Sequence, residues 1–134
     1  MHSIVLDTNV LISSTFWKKG NPHKLVLLAV GQKIQNFTSR NIINELVKVL
    51  AVDFKQPEEF VERQVKLLLS YSEIVEPKIK IEAVPEDPKD NMVIECALSA
   101  GAGLIITGDN HLLKLKEYKN IKILTPKEFL TQYL

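Results

Sequence analysis

Short apolar runs that end in polar residues punctuate the chain. Ile4-Val5-Leu6 runs into Asp7, and Leu104-Ile105-Ile106 runs into Thr107-Gly108-Asp109. Runs of this length read as strands buried on both faces. Ile121 to Leu124 reads as another strand, and the alternation from Lys33 to Thr38 suits a fourth. Ile74-Val75 and Ile79-Lys80-Ile81, separated by Pro77, are shorter candidates. Helical spacing fills the intervals. Asp7 or Thr8 can cap a helix over Thr8 to Ser14. Pro22 opens one through Val30, which Gly31 ends. Ser39 caps a helix over about 40–51, with Ile42, Ile43, Leu46, Val49 and Leu50 on one face. Pro57-Glu58-Glu59 starts another that runs to about Tyr71, its acids suited to the helix dipole. Lys89 to Ala100, Leu112 to Tyr118 and the segment after Pro126 complete the set, with loops at 17–22 and 85–88. Strands and helices alternate throughout, which predicts an α/β fold with a mostly parallel sheet. No repeat, low-complexity segment or linker interrupts the pattern, so 1–134 reads as a single domain.

Composition narrows this picture only a little. With 134 residues, 46% apolar and 25% charged, the chain falls outside the disordered and collagen-like classes. No apolar run approaches the roughly 20 residues that span a bilayer. Cys96 is the one cysteine, which excludes an internal disulfide and suits a reducing compartment. The N-terminus lacks the pattern of a secretory signal. The expectation is a cytoplasmic protein without membrane association, with Cys96 buried and inert.

The candidate chemistry is acidic. Asp7 and Asp109 each follow the carboxyl end of a predicted strand, where parallel sheets bind ligands. Close carboxylates repel, and a hard divalent cation relieves that repulsion. Asp87 and Asp90 open the helix that follows Pro88; Asp87 also suits a plain cap. Asp90 heads an apolar stripe of Val93, Ile94 and Ala97, where a buried acid needs a partner. Glu45 joins the apolar face between Ile42 and Val49, as a site residue or as a rim residue covering apolar surface. His2, His23 and His111 read as surface residues, with His111 nearest a role because it follows Asp109. Phe16 and Trp17 read as core or dimer-contact aromatics, with base stacking as the alternative.

Taken together, these motifs resemble a known family. Ile4-Val5-Leu6-Asp7-Thr8-Asn9-Val10-Leu11, Asn44-Glu45-Leu46, Asp87-Pro88-Lys89-Asp90-Asn91 with Glu95-Cys96-Ala97, and Ile106-Thr107-Gly108-Asp109 with Leu112-Leu113 look like a PIN domain. This family of metal-dependent nucleases includes the VapC-type toxins of toxin–antitoxin systems. The resemblance implies a three-layer α/β/α fold with about five strands. It implies a catalytic pocket of Asp7, Glu45, Asp90 and Asp109, with Asp7, Asp90 and Asp109 holding Mg²⁺ or Mn²⁺. Glu45 would position a water or act as a base. Asn9 and Thr107 would orient the acids, and Asp87 would assist. It further implies an RNA substrate, a homodimer formed through the helices over 25–30 and 40–71, and an antitoxin partner.

Alternatives within the class are an RNA-processing nuclease outside any toxin system and an RNA-binding module without turnover. A phosphohydrolase or receiver domain is disfavoured. The former would want an Asp where Asn9 stands, and the latter a second acid beside its first. The charge balance of 17 basic to 16 acidic residues gives no nucleic-acid signal on its own. Setting aside the four pocket acids leaves 17 against 12, a mildly basic remainder. Lys18, Lys19, Lys24 and Arg40 are the candidates for RNA contact, because phosphates need local cations rather than a basic total.

Overall fold

The computed structural model describes residues 1–81, 83 and 88–134. In chain order the elements are β1 (His2–Leu6), α1 (Thr8–Phe16), α2 (Asn21–Val30), β2 (Ile34–Ser39), α3 (Arg40–Lys48), α4 (Glu58–Tyr71), β3 (Ser72–Val75), α5 (Pro88–Ala100), β4 (Leu104–Ile106), α6 (Asn110–Leu115), β5 (Glu117–Tyr118), β6 (Ile121–Leu124) and α7 (Pro126–Gln132). A π-helical turn, Val49–Asp53, extends α3. The strands form one sheet of six, in the order β3-β2-β1-β4-β6-β5. All neighbours are parallel except β5 and β6.

Successive residues of a strand face opposite sides of a sheet. Ile4, Val5 and Leu6 are all buried, as are Leu104, Ile105 and Ile106. Both faces of the sheet centre are therefore covered, in the three-layer α/β/α arrangement. α5 packs across β1, β2 and β4, while α6 and α7 pack on β6. Asn36 is buried within the sheet, and its amide is satisfied there. Its Oδ1 accepts from the Leu6 N–H at 3.0 Å and its Nδ2 donates to Ser72 Oγ at 2.8 Å, tying β1 and β3 to β2.

The order of the sheet decides where a site can lie. From β1 the chain steps outward through β2 to β3, then crosses to β4 on the other side of β1. The crevice beyond the carboxyl ends of β1 and β4 is thus the topological switch point, where open parallel sheets bind ligands.

Most predicted elements stand where the pattern placed them, and three details differ. Ile79 to Ile81 forms no strand. The sheet has six strands because Glu117 and Tyr118 form β5 rather than the end of a helix. Lys116, at φ 62°, ends α6, and Lys119 and Asn120, at φ 47° and 70°, make a two-residue hairpin into β6. The turn expected over 85–88 falls largely outside the described residues. Cys96 is fully buried, and burial pushes its thiol up to about 12, in line with an inert core role. No helix among the described residues is long and apolar enough to cross a membrane.

Gly101 ends α5 at φ +68°, and a Cβ built there meets nothing within 4 Å. Gly101→Ala should therefore cost only the left-handed backbone penalty, about 1 kcal/mol. Urea denaturation measures this loss, and the acidic pocket should be unaffected.

Candidate functional site

The β1–β4 ladder continues one step past the strands, through a bond from the Asp7 N–H to the Ile106 carbonyl at 3.0 Å. This carries Asp7 alongside Thr107. Asp7 caps α1, with Oδ1 accepting from the Thr8 N–H at 2.7 Å. Its Oδ2 accepts from Thr107 Oγ1 at 2.8 Å and from Asn9 Nδ2 at 2.9 Å. Thr107 Oγ1 in turn accepts from the Asp109 N–H at 2.9 Å, and Asn9 Oδ1 accepts from the Gly108 N–H at 2.9 Å. Asn9 and Thr107 thus lock the loop after β1 to the loop after β4.

Asp7 is buried, and desolvation pushes its carboxyl up to about 6. The hydrogen bonds from Thr107, Thr8 and Asn9 oppose that rise, while the negative charge of Asp109 adds to it. Asp109 caps α6, with Oδ1 accepting from the N–H groups of His111 at 2.8 Å and Leu112 at 3.2 Å. Asp90 lies in the first turn of α5, 5% exposed, above the buried Val93, Ile94 and Ala97. Glu45, on α3, is half-buried, with Oε1 3.5 Å from Lys89 Nζ.

These side chains meet at a cavity of about 420 Å³ whose lining includes Asp7, Asn9, Glu45, Lys89, Asp90 and Asp109. Ile12, Trp17, Ile42, Val49 and Phe54 supply apolar wall beside the acids. Trp17 is 58% exposed, so it is not a core residue, whereas Phe16 stacks on Phe54 and Phe60. Among the described residues, one ligand atom each from Asp90, Asp109 and His111 lie within 4.8 Å of one another. The surroundings suit a divalent cation. Two carboxylates converge on one spot, and a third, buried Asp7, bears the charge repulsion that a cation would relieve.

All four pocket acids proposed from the sequence therefore face one cavity. Asp87 lies outside the described residues. Lys18, Lys19, Lys24 and Arg40 are exposed, and none of them lines this cavity. Among the described residues the cation that does is Lys89, which sequence reasoning passed over although it stands between Pro88 and Asp90. Glu95, also without an assigned role, is buried on α5, and its Oε2 accepts from the Ile81 N–H at 2.9 Å.

The family model described as PIN domain matches residues 3–111. The uncharacterized protein MJ1680 of Methanocaldococcus jannaschii is 32% identical to the chain, covering 97% of it and 90% of that protein. Among solved structures, VapBC2 from Rickettsia felis, bound to a DNA fragment from their promoter, superposes with a TM-score of 0.64 at 18% identity, covering 90% of this chain and 96% of that one. VapBC-1 from nontypeable Haemophilus influenzae superposes with a TM-score of 0.60 at 19% identity, covering 93% and 98%. These two structures establish the likeness of fold, and the family-model match over residues 3–111 carries the assignment: the chain belongs to the PIN domain family.

Proposed function

We propose that the protein is a divalent-metal-dependent endoribonuclease and the toxin of a toxin–antitoxin pair. The observation that carries this reading is the convergence of Asp7, Glu45, Asp90 and Asp109 on one cavity at the switch point of the sheet. Asp7, Asp90 and Asp109 would hold Mg²⁺ or Mn²⁺. A cation bound there supplies Lewis-acid stabilisation of phosphodiester charge and makes water a better nucleophile at neutral pH.

The chain's own groups do the rest. Asn9 and Thr107 fix the Asp7 carboxylate, so it needs no reorganisation during the reaction. Glu45 would take the proton of the attacking water as the new P–O bond forms, and the departing oxygen would take a proton from solvent as the scissile bond breaks. Lys89 stands beside Glu45 with its charge toward the cavity, where a phosphate oxygen would approach. Trp17, exposed at the cavity wall, offers a face for an unpaired base. Lys18, Lys19, Lys24 and Arg40 would contact RNA only beyond the cavity.

The likeness to the two VapBC structures supports an antitoxin partner, and the same reading has the toxin act in the cytoplasm. Exposed Leu27 and Val30 on α2 and Leu67 on α4 support a homodimer through the expected helices.

A substrate panel tests the activity. Labelled single-stranded RNA should be cut internally with Mg²⁺ or Mn²⁺ and left intact with EDTA, while a phosphomonoester is not hydrolysed. Binding of RNA without cleavage in either metal would overturn the enzymatic reading. Phosphomonoester turnover would move the protein to another class of hydrolase.

A further inference from the structure

We infer that His111 is a nitrogen ligand of the metal site, so that the site takes Mn²⁺ or another first-row transition ion in preference to Mg²⁺. This rests on the proposed reading of the acidic cavity as a metal centre, and it changes the donor set from all oxygen to mixed oxygen and nitrogen.

The geometry comes from α6. Asp109 caps this helix through the His111 N–H, so the main chain of His111 is tied to the same carboxylate that faces the cavity. The His111 ring then lies with Nδ1 3.9 Å from Asp109 Oδ1. That distance is too long for a hydrogen bond. Asp109 Oδ1 also already accepts two backbone donors, so direct pairing with Asp109 does not use up the imidazole. The ring atom instead belongs to the set with Asp90 and Asp109 within 4.8 Å. The His111 side chain is 46% exposed, so it can turn onto an ion without disturbing the core.

The other two histidines are engaged elsewhere. The His2 ring packs edge-on against Phe129 and Tyr133, and His23 Nδ1 lies 3.2 Å from the Ser14 carbonyl oxygen. Mg²⁺ takes oxygen ligands and keeps its waters, whereas imidazole suits Zn, Cu, Fe and Ni, and Mn²⁺ opens the same first-row series of affinities for mixed nitrogen and oxygen sites. An imidazole beside two carboxylates therefore biases the site away from Mg²⁺.

Mn²⁺ alone is the probe, added to the tag-free full chain. Electron spin-echo envelope modulation of bound Mn²⁺ should show ¹⁴N coupling in the wild type and none in His111→Gln. Mn²⁺ affinity should fall about tenfold in His111→Gln, the lower end of what loss of a metal-site partner costs. Mg²⁺ affinity should stay within about twofold, since that ion does not recruit the ring. Bound Mn²⁺ without ¹⁴N coupling, or coupling that persists in His111→Gln, overturns the inference and leaves the acidic centre standing. Absence of Mn²⁺ binding by the wild type, or unchanged binding by Asp109→Asn, overturns the centre itself.

Discussion

Asp7→Asn is expected to make the metal-free protein more stable and to remove its activity. The folded protein holds the Asp7 carboxyl at about 6, above the ordinary 3.8, mainly because burial strips its water. A carboxyl raised on folding adds stability where it is protonated in both states and loses it as pH rises through the folded value. Wild type therefore weakens between about pH 4 and pH 7, as Asp7 ionises in place. Asn carries no charge and escapes that loss. It keeps the cap on α1, since Asn caps as well as Asp. Its amide nitrogen would face the Asn9 donor, which gives back part of the gain. The net expectation is roughly 1–3 kcal/mol of added stability at pH 8 and none at pH 4. Urea denaturation in EDTA at the two pH values measures it. Millimolar Mn²⁺ should then stabilise wild type and not the variant, because only a ligand that binds the folded state shifts the equilibrium. Activity should fall by more than the roughly 10–100-fold that outer partners of a metal site cost. An acid that costs stability is hard to explain as structural, and simple to explain as a group kept for a cation.

Thr107→Val should damage both stability and activity. The Thr107 hydroxyl is fully buried and serves three groups at once. It donates to Asp7 and accepts from the Asp109 N–H and, at 3.3 Å, from Asn9. Val keeps the shape but leaves the Asp109 N–H without that acceptor, at a cost of about 1–3 kcal/mol. It also removes a donor that holds the Asp7 carboxyl down. The Asp7 carboxyl then rises further, less of it is ionised at a given pH, and the acid limb of the activity profile moves to higher pH. Activity at neutral pH should drop about 10–100-fold. Thr107→Ser retains the hydroxyl and should recover most of both losses. An unshifted pH profile in Thr107→Val would separate Thr107 from the Asp7 carboxylate.

The parts of this site that were legible in the sequence are those set by strand ends. Asp7 and Asp109 follow apolar runs buried on both faces, so their position beyond the carboxyl ends of β1 and β4 follows from pattern alone. Asp90 was legible because the stripe of Val93, Ile94 and Ala97 fixed which way its helix faces. Lys89 was not, because its reach to Glu45 depends on how α5 sits against α3, a tertiary fact with no local signal. His111 stood next to the right residue. Its nearness to Asp90 depends on where α6 begins, which the Asp109 cap decides. The β5–β6 hairpin was hidden for a local reason. Its turn uses Lys119 and Asn120 at positive φ without the glycine that usually marks such turns. Lys18, Lys19, Lys24 and Arg40 do not line the cavity, and exposure on a helix or loop says nothing of which side a pocket opens.

The most direct measurement is cleavage of labelled single-stranded RNA by wild type and Asp7→Asn, side by side, in Mn²⁺ with and without EDTA. Wild type should cut internally and stop once EDTA is added, and Asp7→Asn, folded and more stable at pH 8, should make no cuts. Cleavage by Asp7→Asn at the wild-type rate, or cleavage by wild type that EDTA does not stop, would contradict the proposed metal-dependent site.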